Sequence, residues 1–179
     1  MEAVMLKRVI CNGIVLFIFI STGFFLFGEV NRDIASLEKK LESVVDKEKV
    51  DILVKMARKA RQVSPGKQIE YYTRALILAR ETKQPGKETR VLLDLCEIYL
   101  DLGMFDKTWG LVEKALAAAN QTGNKTLKGE ALMNMGYMLL VTNDHEKAKE
   151  YLQKSIKIFD QPGTKHLLAM AQSVLAHYY

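Results

Sequence analysis

Two stretches decide the fold: RVLLDLCEIYLDLGMFDKTWGLVEKALAAA at residues 90–119, and EALMNMGYMLLVTNDHEKAKEYLQKSIKIF at residues 130–159. Laid over one another with a step of 40 they are the same unit. Leu95 stands over Met135, Cys96 over Gly136, Tyr99 over Leu139, Gly103 over Asn143 and Ala115 over Ser155. The step also reaches Ala75 upstream, and Leu175, Ala176 and Tyr179 downstream. Each stretch reads as a helix, a tight turn and a second helix. In the first helix Leu92, Leu95, Cys96 and Tyr99 form an apolar stripe, matched by Leu132, Met135, Gly136 and Leu139. A small residue at Cys96 or Gly136 lets a neighbouring helix approach closely. Gly103 and Asn143 suit the left-handed conformation that ends a helix, and Asp106 or Asp144 is placed to cap the next. The second helix turns Ala148, Leu152 and Ser155 inward and its charges outward. Neither pair can bury its stripe alone, so the units must stack.

This pattern resembles the tetratricopeptide repeat, in a longer variant with extra residues at the end of the second helix. The positions that carry the likeness are Leu92, Leu95, Cys96, Tyr99, Thr108, Val112 and Ala115, then Leu132, Met135, Gly136, Leu139, Ala148, Leu152 and Ser155. An earlier, weaker unit shows Leu53, Met56, Ala57, Ala60, Tyr72 and Ala75, with a shorter turn at Ser64, Pro65 and Gly66. The consensus proline at the end of the unit is missing, with Asn120 and Asp160 in its place, and Thr108 and Ser155 stand where alanine is usual. The fold class implied is all-α: an α-solenoid of helix-turn-helix repeats, preceded by one N-terminal transmembrane or signal helix. The repeats run over about 50–86, 87–126 and 127–165, with a partial unit at 166–179.

Arrays of this kind bind other proteins or peptides along a concave groove lined by the first helices. Helical geometry puts Arg90, Leu93, Glu97 and Leu100 between the packed positions of one unit. Glu130, Met133, Tyr137 and Leu140 hold the same places in the next, with Asn134 at the edge, and Val54, Arg58 and Arg61 come from the weak unit. Some family members grip a C-terminal carboxylate with paired lysine and asparagine. Only Asn134 matches that arrangement, so this specificity is not expected.

Upstream, Lys7 and Arg8 (in the short segment 1–8) precede an uncharged run over 9–28, VICNGIVLFIFISTGFFLFG. Twenty helical residues span roughly 30 Å, about the thickness of bilayer hydrocarbon. With the cationic flank ahead of the run, the positive-inside rule puts the N-terminus in the cytoplasm and the repeats outside it, in the periplasm if the source is bacterial. Two fates fit: an uncleaved signal-anchor, giving a single-pass membrane protein, or a cleaved signal peptide with Ser21, Thr22 and Gly23 at the cut, giving a secreted or periplasmic one. From 29 to 49 an amphipathic helix carries Ile34, Leu37, Leu41 and Val44 at 3-4-3 spacing. It either covers the first face of the repeats or acts as a juxtamembrane element. The layout as a whole resembles the N-terminal sensory half of bacterial membrane-bound signalling proteins built on such repeats.

The 179 residues are 49% apolar and 26% charged, with a formal net charge of +5, which is a globular composition. The charge is mixed along the chain instead of gathered in a basic block, so no nucleic-acid footprint is expected. Two cysteines, Cys11 and Cys96, and three histidines leave no disulfide framework and no four-ligand zinc site. Pro65–Lys67 and Pro85–Lys87 lack the first glycine of a phosphate loop and are expected as loops between helices. No enzyme, cofactor or metal site is legible. HLLAMAQSVLAHYY, at 166–179, begins a further unit without finishing it. Its apolar side would be covered by more chain, by homodimerisation, or by the preceding unit if the helix is a cap. The function expected is a non-enzymatic, membrane-anchored protein–protein interaction module, the sensory part of a larger signalling protein or else a cell-envelope scaffold.

Overall fold

A computed structural model describes residues 28–176, and every regular element among them is a helix. In chain order these are α1 (28–43), α2 (Asp46–Ala60), α3 (Pro65–Glu81), α4 (Pro85–Asp101), α5 (Phe105–Thr122), α6 (Lys125–Val141), α7 (His145–Phe159) and α8 (Lys165–Ala176). The main packing joins α2 to α3, α4 to α5 and α6 to α7. Each pair then stacks on the next through α3 with α4, α5 with α6 and α7 with α8. This is a solenoid of helical hairpins.

The turns carry the repeat more plainly than the helices do. Lys83, Gly103, Gly123, Asn143 and Gly163 all have positive φ, one every 20 residues, half the length of a repeat. At Gly103 the closure is the Schellman pattern: Met104 N–H donates to Tyr99 O at 2.8 Å and Gly103 N–H to Leu100 O at 2.9 Å. The same two bonds close the helices before Gln84 and Asp144. The turn between α2 and α3 has no left-handed residue and instead ends on Ser64, whose Oγ accepts from Lys67 N–H.

Helix starts differ from expectation in four places. Pro65 and Pro85 occupy the first turns of α3 and α4, not loops, because a missing N–H costs nothing there. Asp144 does cap α7, accepting from Lys147 N–H, but Asp106 does not cap α5. It sits in the first turn, one residue inside, where its charge still favours the helix dipole. The amphipathic stretch over 29–49 is two helices, since Val45 is extended and Asp46 begins α2. Asp46 and Glu48 in that first turn mark the new start.

Small residues set the spacing between helices. A methyl group on Gly136 would stand 2.6 Å from Leu152 Cγ, so α6 and α7 touch there as the repeat pattern requires. Cys96, at the matching place in α4, is fully buried. Ala75, Ala115 and Ser155 are all at zero exposure, and the Ser155 hydroxyl donates to Gly129 O across the α6–α7 contact at 2.9 Å. α1 lays Val30 and Ile34 into the core beside α2 and α3. Lys59 pairs with Asp33 at 2.6 Å, and Tyr71 donates to Glu38, which ties α1 to both helices.

The apolar run at 9–28 lies outside the described residues except for Gly28. Among the described residues no helix is long and apolar enough to cross a membrane. His177 and the last two tyrosines also lie outside them. On α8, Ala171 is buried and Met170 is half exposed.

Candidate partner-binding groove

The first helices of the hairpins, α2, α4 and α6, bring charged side chains from separate repeats to one face. Between α2, α3 and α4 lies an open depression of about 520 Å³. Its walls are Arg58 and Arg61 from α2 and its end, Pro65, Gln68 and Tyr72 from α3, and Asp94, Glu97, Ile98, Asp101 and Leu102 from α4 and its end. The three acids follow one side of α4 at i, i+3 and i+7. The two arginines face them from the neighbouring repeat, Arg58 at 3.7 Å from Asp94 and Arg61 at 4.0 Å from Asp101.

Burial shapes the chemistry here. The Tyr72 phenol is pushed up to about 12, first by burial and then by the Asp94 carboxylate beside it. Asp94 is itself held above the usual carboxylate range by burial, against the pull of Tyr72 and Arg58. Burial followed by the charges of Asp94 and Glu130 raises Glu97. The Cys96 thiol, behind this wall, is pushed up to about 12 by burial and then by Glu97, so it stays protonated and is a packing residue.

The predicted groove residues separate into two groups. Arg58, Glu97 and Tyr137 are exposed, and Leu100 is half-buried. Leu93 at 1% exposure, Met133 at 8%, Asn134 at 7% and Glu130 at 7% are buried and do not line an open surface. Leu140 is buried with them. The reason is tertiary. Periodicity treats each first helix as if its outer side met water, but α4 packs along α6, and α8 also reaches α6. Arg90 is spent on the same contact: both of its Nη groups donate to the Glu130 carboxylate, Nη2 to Oε1 at 2.7 Å. Those two residues fasten neighbouring repeats together. Asp94, Tyr72 and Asp101 are the groove residues that sequence reasoning missed. The signal for Asp94 was there, as an acid set inside the apolar run VLLDLCEIYL.

No group of histidine, cysteine and acidic residues among the described ones could hold a metal ion. Charges of both signs gathered where helical hairpins stack supply recognition chemistry.

Residues 87–161 match the family model described as the tetratricopeptide repeat. That stretch is built of tetratricopeptide repeats. No curated protein matches the chain. Among solved structures it is similar to BtubC (BKLC) from P. vanneervenii, with 19% identity and a TM-score of 0.67, covering 83% of this chain and 66% of that one. It is also similar to the apo form of RapI, with 20% identity and a TM-score of 0.71, covering 88% of this chain and 47% of that one. The chain thus spans about two thirds of the first neighbour's length and about half of the second's. Both likenesses are of fold. The hairpin architecture itself continues upstream of the matched stretch, in α2 and α3.

Proposed function

We propose that this tetratricopeptide repeat chain is a non-enzymatic interaction module that takes a peptide or protein partner on its concave face, held at a membrane by its N-terminal run. The observation that carries the binding reading is the depression between α2, α3 and α4. There two repeats contribute charges of both signs, an aromatic ring and aliphatic side chains to one open surface. The membrane part rests on sequence: Lys7 and Arg8 ahead of twenty uncharged residues, with the repeats on the far side of the bilayer. In this setting the module is the sensory part of a larger signalling protein, and occupancy of the groove is passed on through α1. The half-exposed Met170 of α8 favours a second reading, an envelope scaffold that pairs through that helix.

Photo-cross-linking tests the binding reading. With a benzophenone amino acid at Glu97, the full chain in its native membrane yields a discrete adduct, and the Tyr137→Ala background removes it. The same group at Lys114, exposed on α5, yields none. Equal products from both positions, or none from Glu97, sink the reading. Mass analysis of the mature N-terminus decides the anchor: retention of Met1 in the membrane fraction supports it, and a start near Phe24 or Glu29 overturns it.

A further inference from the structure

The groove is lined by more acid than base, and its deepest acid, although the Tyr72 hydroxyl hydrogen-bonds to it, has one carboxylate oxygen to spare. Asp94 keeps only 13% of its side chain exposed, and its Oδ2 is buried and accepts no hydrogen bond. The nearest guanidinium, that of Arg58, stands 3.7 Å away with 62% of its own side chain in solvent, an ion pair without hydrogen-bond geometry. Glu97, one helical turn further on, forms no ion pair within 4 Å among the described residues, and the Arg90 charge that acts on it is already bound to Glu130. Buried carboxylate oxygens ordinarily have partners, and one left without invites an occupant. Beside the two acids lie the exposed Leu102 and the narrow uncovered margins of the otherwise buried Tyr72 and Ile98, an apolar edge of the kind along which lysine and arginine stems settle. The space, about 520 Å³, falls in the range of pockets that hold ligands, roughly 300–1,000 Å³. Burial holds Asp94 above the usual carboxylate range even with Arg58 beside it.

We propose that the groove selects a partner segment presenting a basic side chain, whose charged head lodges between Asp94 and Glu97 and whose alkyl stem lies along Tyr72, Ile98 and Leu102. This rests on the binding reading above and adds the partner's chemistry to it. Arg58 then acts as a competitor for Asp94 and not as a partner contact, since a second cation must displace it.

The test uses three labelled hexapeptides, acetyl-Ala-Leu-X-Ala-Leu-X-amide with X as Arg, Gln or Glu, titrated by anisotropy into the full 179-residue chain in neutral detergent. The Arg peptide is expected to bind saturably and at least tenfold more tightly than the Gln peptide, with the Glu peptide weakest. Asp94→Asn and Glu97→Gln each weaken the Arg peptide fivefold or more without lowering the circular-dichroism melt. Arg58→Gln tightens it. Equal binding of the Gln or Glu peptide overturns the proposal, as does indifference to Asp94→Asn and Glu97→Gln, or weaker binding in Arg58→Gln. Failure of all three peptides overturns it too. The broader binding reading is then decided separately, by the Glu97 cross-link, which requires no particular charge on the partner.

Discussion

Gly129 and Phe159 show how single residues keep a repeat in register. A methyl group on Gly129 would meet the Phe159 ring at 2.6 Å and Ile158 Cγ2 at 2.9 Å. One repeat earlier the same places hold Thr89 and Ala119, the larger residue now on the first helix and the smaller on the second. Gly129→Ala is therefore expected to cost about 2 kcal/mol in urea unfolding, despite alanine's better helix propensity. Adding Phe159→Leu should restore part of the loss, and a double variant no better than the single one would refute the pairing. Asp94 makes a prediction about pH. Its folded pKa is raised, so in the window above the unfolded value the native state binds more protons, and stability falls as pH rises through it. Asp94→Asn, which has no charge to desolvate, should melt higher than the natural chain at pH 7. The advantage should shrink as pH is lowered and the natural carboxyl takes up its proton. A gap that stays constant with pH would argue against a desolvated carboxylate.

At the scale of an element, the recurring left-handed turn residue is the punctuation of the array. Glycine fills it at 103, 123 and 163, but Lys83 and Asn143 hold it with a Cβ. A left-handed residue with a side chain is strained by about 1–2 kcal/mol, least for asparagine. Lys83→Gly is expected to raise stability by about 1 kcal/mol, and Gly103→Ala to lower it by a similar amount. Thermal melts of the two variants check both signs. Gly103 and Asn143 were legible in the sequence, because glycine and asparagine advertise this conformation. Lys83 was not, since lysine occurs anywhere on a helical surface. The break at Val45 was hidden for a related reason: the apolar stripe runs on through it, and only the acids Asp46 and Glu48 announce a new helix.

In the whole molecule, neighbouring repeats stack through α3 on α4 and α5 on α6, and ion pairs between first helices add to this, Arg90 with Glu130 being more buried than Arg58 with Asp94 or Lys87 with Asp51. The Glu130 side chain keeps 10% of its surface and that of Arg90 35%, so cutting the arginine leaves a carboxylate in a nearly closed place. Arg90→Met should lower stability by about 2 kcal/mol, at the low end for such pairs because the arginine is partly solvated. The double variant Arg90→Met, Glu130→Met should recover most of it, as read from urea midpoints. If the double change is as harmful as the sum of both single ones, the pair is not coupled. In a stacked array such contacts also set how cooperatively the repeats unfold.

Sequence alone determined the helical hairpins, their step of 40, the inward residues of each stripe and the close approach at Gly136. All of these follow from periodicity and side-chain size, which are properties of a single chain segment. Tertiary structure decided which of the remaining residues meet solvent. α6 is enclosed by the helices on either side of it, so Leu93, Met133 and Asn134 went to the interior and Arg90 was drawn onto Glu130. The open surface fell instead to Arg58, Arg61, Glu97 and Asp101, with Asp94 and the buried Tyr72 set behind them, between α2, α3 and α4. A helix's outer side is fixed by its own 3.6-residue turn, but whether that side stays outside depends on its neighbours' packing.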